Sequence, residues 1–119
     1  MRTRSEAAAR LLIERGADVN AHDERGWTTL MVTNWPILLE SGADVDARDS
    51  EGETALMKAV ASADGDKVRW LIEGGADLSL RDNDCRSALD IAEQYGMTWL
   101  AELLISDGAI DEQVDEISR

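Results

Sequence analysis

The sequence predicts an all-α fold, a solenoid of stacked helix-turn-helix repeats joined by short hairpin-like loops. Three observations predict it. A Gly-Ala pair that closes an amphipathic stretch starts at residues 16, 42, 75 and 108, at intervals of 26, 33 and 33. A second block recurs between these at matching intervals: Asp23-x-x-Gly26-Trp27-Thr28-Thr29-Leu30, Asp49-x-x-Gly52-Glu53-Thr54-Ala55-Leu56 and Asp82-x-x-Cys85-Arg86-Ser87-Ala88-Leu89. The stretches between the blocks have helix length, and the chain holds a single Pro, against the many Pro-marked turns of an all-β fold. A unit of this size cannot bury its own apolar face, so the units must stack into one continuous core.

Composition sets the bounds. A chain of 119 residues is one domain and buries roughly two-thirds of its unfolded surface. Being 44% hydrophobic and 31% charged, it has the make-up of a folded protein and not of a disordered one. With four Trp, one Tyr and no Phe, the core must come mainly from Ala, Leu, Ile, Val and Met.

The elements follow in order. Residues 1–22 form a half repeat, a second helix of about Ser5 to Arg15 that ends at Gly16. Apolar surface left uncapped at this end would stack on another copy; alternatively the chain is a fragment of a longer array. Residues 23–48 form a shortened repeat, seven residues below the period of 33. The deficit falls between Val32 and Ile37. Pro36 suits the first turn of a helix, so a first helix ends near Thr33 or Asn34 and a stub helix runs from about Pro36 to Glu40. The rival reading is one kinked helix over 28–40, which would turn the chain the wrong way for stacking. This unit should be the least well packed.

Residues 49–81 form a full repeat. Leu56, Ala59 and Val60 line the first helix (54–61), and Val68, Leu71 and Ile72 the second (66–73). Ala55, Ala59 and Ala63 are small enough to let the two lie close. Gly75 stops the second helix in a left-handed conformation, and Thr54, like Thr28 and Ser87, caps the start of a first helix. Residues 82–110 form a C-terminal capping repeat, and 111–119 an acidic tail.

These residues resemble the ankyrin repeat, a unit of a turn and two helices with a T-P-L-H-x-A signature. Gly16-Ala17-Asp18-Val19-Asn20-Ala21 reproduces the family's Gly-Ala-Asp-Val-Asn ending, and Thr54-Ala55-Leu56-Met57-Lys58-Ala59 is a variant of the signature. The resemblance covers about residues 5–110. It implies an ankyrin-type solenoid that binds another protein, without catalysis or cofactor. Two departures stand out. Met31, Met57 and Asp90 replace the signature His, so its side-chain hydrogen bond is expected to be absent. Cys85 stands where the turn wants Gly, so that turn is either strained or of another type.

The resemblance implies a partner surface on the concave side. Its tips are Glu24, Arg25 and Trp27; Ser50, Glu51 and Glu53; and Asn83, Asp84 and Arg86. Its helix positions are Ala61 and Ser62 in the full repeat and Gln94 and Tyr95 in the last. Trp27 stands first, since exposed Trp is enriched among residues that dominate interfaces; the other reading folds it down over the short unit. Trp70 and Trp99 read as either a convex apolar patch or local packing, and Trp35 reads as core.

The net charge is −13, with ten acidic and two basic groups in residues 82–119. Nucleic acid and anionic membrane are disfavoured as partners, and a basic protein would be steered to the C-terminal end. The plainer reading is that the acidity only keeps the protein soluble. A lone Cys85 and the lack of a signal-peptide core or of a ~18-residue apolar run point to a soluble protein of the cytoplasm. His22 and Cys85 lie two units apart, the carboxylates at the repeat period read as an exposed ladder, and Cys and His do not cluster, so neither catalysis nor metal binding is expected. The leading function is a protein–protein interaction module. The alternatives are a self-associating homo-oligomer, paired through the N-terminal helix or the Trp70/Trp99 patch, and a regulatory appendage of a larger enzyme.

Overall fold

The computed structural model describes residues 11, 14–16, 18–34 and 36–106. The helix expected over Ser5–Arg15, Trp35 and the tail 111–119 lie largely or wholly outside these. Six helices are described: α1 (Thr29–Val32), α2 (Ile37–Glu40), α3 (Ala55–Ala61), α4 (Gly65–Glu73), α5 (Ala88–Gln94) and α6 (Thr98–Ser106). No strand occurs among the described residues. The helices alternate as first and second members of successive pairs. First helices stack in the order α1, α3, α5, and each of α3 and α5 packs on its own second helix.

The core follows the period. Leu38, Leu71 and Leu104, spaced by 33, are each at most 2% exposed and come from the second helices. Leu56 and Val60 on α3 and Ile91 and Ala92 on α5 meet them from the first-helix layer. Burying one such Leu contributes about 2 kcal/mol.

The helix ends obey local chemistry. Gly42 and Gly75 close α2 and α4 at φ +96°. After α4, the Gly75 N–H donates to the Ile72 carbonyl (3.0 Å) and the Ala76 N–H to the Leu71 carbonyl (3.1 Å), which satisfies carbonyls the helix leaves open. The same pair of bonds ends α3, with Ala63 as the left-handed residue at φ +60°. Ala63 therefore does not mediate helix packing as expected; it is an exposed turn residue that strains to do what Gly96 does one period later.

At the N-termini the hydroxyls of Thr54 and Ser87 accept from the N–H of Met57 and Asp90, both at 3.2 Å. Thr28 departs from this: its hydroxyl is buried without a hydrogen-bond partner among the described residues. The bond expected to vanish with the signature His is rebuilt by other means. Asp90 accepts from the Ser87 N–H at 2.9 Å, and the Met31 sulfur from the Thr28 N–H at 3.4 Å.

The shortened unit holds two helices of four residues each, not one kinked rod. Thr33 is extended (φ −124°, ψ 169°) and ends α1, and Pro36 precedes α2. With so few residues to cover it, Val32 is left 60% exposed.

Candidate functional site: the tip row and the grooves beneath it

Each tip is a tight loop built on one aspartate. The Asp49 N–H donates to the Glu53 carbonyl (3.0 Å), and the Asp82 N–H to the Arg86 carbonyl (3.0 Å). Asp23 repeats the pattern with Trp27 at 3.1 Å. One carboxylate oxygen of each aspartate then accepts two backbone N–H groups, from Arg25 and Trp27, Glu51 and Glu53, and Asp84 and Arg86, all at 2.8–2.9 Å. Asp49 and Asp82 are thus buried, at 8% and 5% exposure, and stand apart from the exposed ladder the period suggested, which Asp44 and Asp77 form. The role of Asp49 and Asp82 is to shape the turn.

The tips are also joined to one another. The Ser50 N–H donates to the Arg25 carbonyl at 2.8 Å, the Asn83 N–H to the Glu51 carbonyl at 3.0 Å, and the Asn83 amide to the Ser50 carbonyl at 3.1 Å. Such close approach needs glycine. A Cβ on Gly52 would lie 2.6 Å from the Asn83 side-chain oxygen, and one on Gly26 would lie 3.0 Å from the Asp49 Cα. Cys85 adopts the same turn as these glycines, at φ +65° against +81° and +78°, so its turn is the strained one and not a different type.

Under the tips, Lys58 on α3 ties three groups together. Its Nζ lies 2.7 Å from Asp49 Oδ2, 2.9 Å from Glu53 Oε1 and 3.7 Å from the centroid of the Trp27 ring. Burial pushes the Asp49 carboxyl up, but Lys58 and the N–H groups of Glu53 and Glu51 outweigh it and hold it below the usual range. Burial draws Lys58 down, and its two carboxylate partners more than restore it. In the last repeat Arg86 pairs with Asp82 at 3.0 Å and donates to Gln94 at 3.0 Å. Asp82 is likewise raised by burial and lowered further by Arg86 and by the Asp84 backbone N–H, ending below its ordinary value.

The expected surface residues therefore divide. Glu24, Arg25, Ser50, Glu51, Asn83 and Asp84 are exposed on the tips, as are Ala61, Ser62, Gln94 and Tyr95 on or just after α3 and α5. Trp27, Glu53 and Arg86 are half-buried and held by the contacts above. Trp27 does not point freely into solvent. It packs against the core, with Lys58 over its ring, and lines two adjoining hollows. One, of about 310 Å³, runs from Trp27 to Tyr95 over Met57, Ala61 and Ile91, with Glu53 and Arg86 on its rim. The other, of about 340 Å³, runs from Trp27 towards Val32 and Lys67.

Sequence reasoning missed Lys58 and Lys67. Position 58 corresponds to Val32 and Ile91 in the neighbouring repeats, and position 67 to Leu100. Those alignments were the available signal that both lysines sit among apolar side chains. On the convex side, Trp70 is half-buried against the core, and Trp99 is 52% exposed. The Trp99 ring covers Gly65, where an added Cβ would lie 2.8 Å from it. Gly65 stands five residues before Trp70, about 140° around the helix.

Among the described residues no three His, Cys, Asp or Glu side chains are grouped to hold a metal. No described helix is long and apolar enough to cross a membrane. A family model described as ankyrin repeats, in three copies, matches residues 36–115. No curated protein matches the chain. With stacked helix pairs, Gly-terminated second helices and hairpin tips in a row, and with that match over more than half its length, the chain belongs to the ankyrin repeat family, whose repeats are in general protein–protein interaction modules.

Proposed function

We propose that this protein binds a protein partner on its concave face, through the tip row and the groove from Trp27 to Tyr95. The observation that carries the reading is the Asp49–Glu53–Lys58–Trp27 cluster. Two carboxylates fix the ammonium, and the ammonium holds the indole at the mouth of an apolar groove. An aromatic anchor held in place before contact spares the ordering cost that otherwise weakens association. The exposed charges of the tips are Asp23, Glu24, Glu51 and Asp84 against Arg25, so the partner segment is basic, with an apolar side chain for the groove. With one exposed cysteine, Cys85, the reading extends to a reducing compartment, the cytoplasm.

The test is capture of a partner from the source cell by immobilised wild-type protein and by a Trp27→Ala/Glu53→Ala double variant. The partner is expected to be retained by the wild type and lost, by about ten-fold or more in affinity, from a double variant with an unchanged helical circular dichroism spectrum. Retention at wild-type affinity by the folded double variant removes this face from consideration.

A second reading, self-association through the convex side, is favoured by the half-exposed Trp99. Sedimentation across a range of concentrations separates the two: a constant monomer mass eliminates self-association.

A further inference from the structure

The seven residues absent from the shortened unit leave a notch beside α1, and the notch has a buried cation in its wall. Lys67, in the first turn of α4, is 6% exposed, at a position occupied one period later by the fully buried Leu100. Its Nζ reaches the carbonyl of Met31 in α1 at 3.3 Å. Among the described residues no carboxylate lies within 4.0 Å of it, in contrast to Lys58, Arg81 and Arg86. An ammonium has three donors, and one long hydrogen bond to a neutral carbonyl leaves a buried charge poorly compensated. Burial accordingly draws the Lys67 pKa down, with Asp64 opposing in part.

The hollow of about 340 Å³ that Lys67 lines is walled by Trp27, Met31 and Val32; Lys58 also lines it but is neutralised by Asp49 and Glu53. Asp64 is the one carboxylate among its described lining residues, and its Oδ1 accepts from the Lys67 backbone N–H at 3.2 Å. With Lys58 neutralised, Lys67 is the cation of this wall that has no ion pair among the described residues.

We propose that the notch is a binding site for a carboxylate carried on a short apolar stem, with Lys67 Nζ taking the carboxylate and Val32 and Trp27 flanking the stem. The bound group supplies the counter-charge and acceptors that the ammonium lacks, in a partly desolvated setting where a charge-assisted hydrogen bond is strong. An acidic side chain of a docked polypeptide and a free aliphatic acid present this same group. The site goes beyond the tip-row reading, because it shares only Trp27 with that face and takes its charge contact from Lys67.

The test is a titration of the whole chain followed by backbone amide NMR shifts, with sodium butyrate, N-acetylglutamate amide and butyramide as probes. Both carboxylates are expected to give saturable shifts at Val32, Asp64 and Lys67, and neutral butyramide none. Lys67→Met and Val32→Asp are each expected to weaken binding about ten-fold, as loss of a charge-assisted hydrogen bond or addition of a like charge requires. Tighter binding of the glutamate probe assigns the site to a polypeptide side chain, and tighter binding of butyrate to a free acid. Equal shifts with butyramide, shifts that do not saturate, or unchanged binding by a folded variant would overturn the proposal. Should Lys67→Met fail to fold, Val32→Asp decides alone, since residue 32 is exposed and its change leaves the buried lysine in place.

Discussion

Cys85 holds a left-handed backbone that Gly26 and Gly52 hold at the same point of their turns. A side chain in that region costs about 1 kcal/mol or more, and glycine regains it less the entropy of a more flexible unfolded chain. Cys85→Gly is therefore expected to raise stability by about 0.5–1 kcal/mol, read from the midpoint of urea unfolding. Gly52→Ala combines the strained φ with a collision against Asn83 and is expected to cost about 2–3 kcal/mol. The hydrogen-bonded aspartates set the acid limit. Asp49, Asp82 and Asp90 all lie below the ordinary carboxylate value of 3.8 in the fold. Their stabilisation is complete above that value and is lost as pH falls through their lowered folded values. Thermal midpoints should thus hold down to about pH 4 and drop below it. Asp49→Asn, less stable at neutral pH, should show a shallower drop; an equally steep one would show that Asp49 contributes nothing to the acid limb.

At the level of elements, α1 and α2 are four residues each, short of what a helix needs to persist by itself. They rely on α3 and α4, in part through the Lys67 bond to the Met31 carbonyl. Backbone amides of residues 29–40 are expected to exchange with deuterium faster than those of α3, which has a first helix on either side of it in the stack. Equal protection would show that the short unit opens only with the whole stack. The break near Thr33 was legible in advance from the seven-residue deficit and from Pro36, because a ring without an N–H fits only the first turn of a helix. The left-handed turn at Ala63 was not, since alanine carries no sign of positive φ; its cue was Gly96, one period on. Nor was the burial of Lys67, because a lysine beside Asp66 reads as solvated until it is set against Leu100.

For the molecule as a whole, stability is shared between neighbours along the stack. Leu71, fully buried at the centre of this interior, illustrates the dependence. Leu71→Ala is expected to cost about 3 kcal/mol, measured by urea unfolding, and to shift the transition of every probe and not only that of the full repeat. Separate transitions for the two ends would mean that the units melt independently. The overall architecture could be read from the chain because spacing alone reports it: Leu38, Leu71 and Leu104 stand in register and all face the interior. The concave site was legible only in outline. Its tips follow from the period, but the grip of Lys58 on Trp27 joins two repeats of unequal length, and no single-repeat pattern encodes that contact.

The same turn that strains Cys85 also sets a direction for lengthening the array by design. At Gly26 and Gly52 the following hairpin presses its backbone against the bare α-carbon. A unit added after the last repeat, with its hairpin stacked in register on the 82–86 tip, would meet a thiol-bearing side chain at that spot. An engineer adding repeats there must first replace Cys85 with glycine, or the new loop will be held off and its helices will lose their seat.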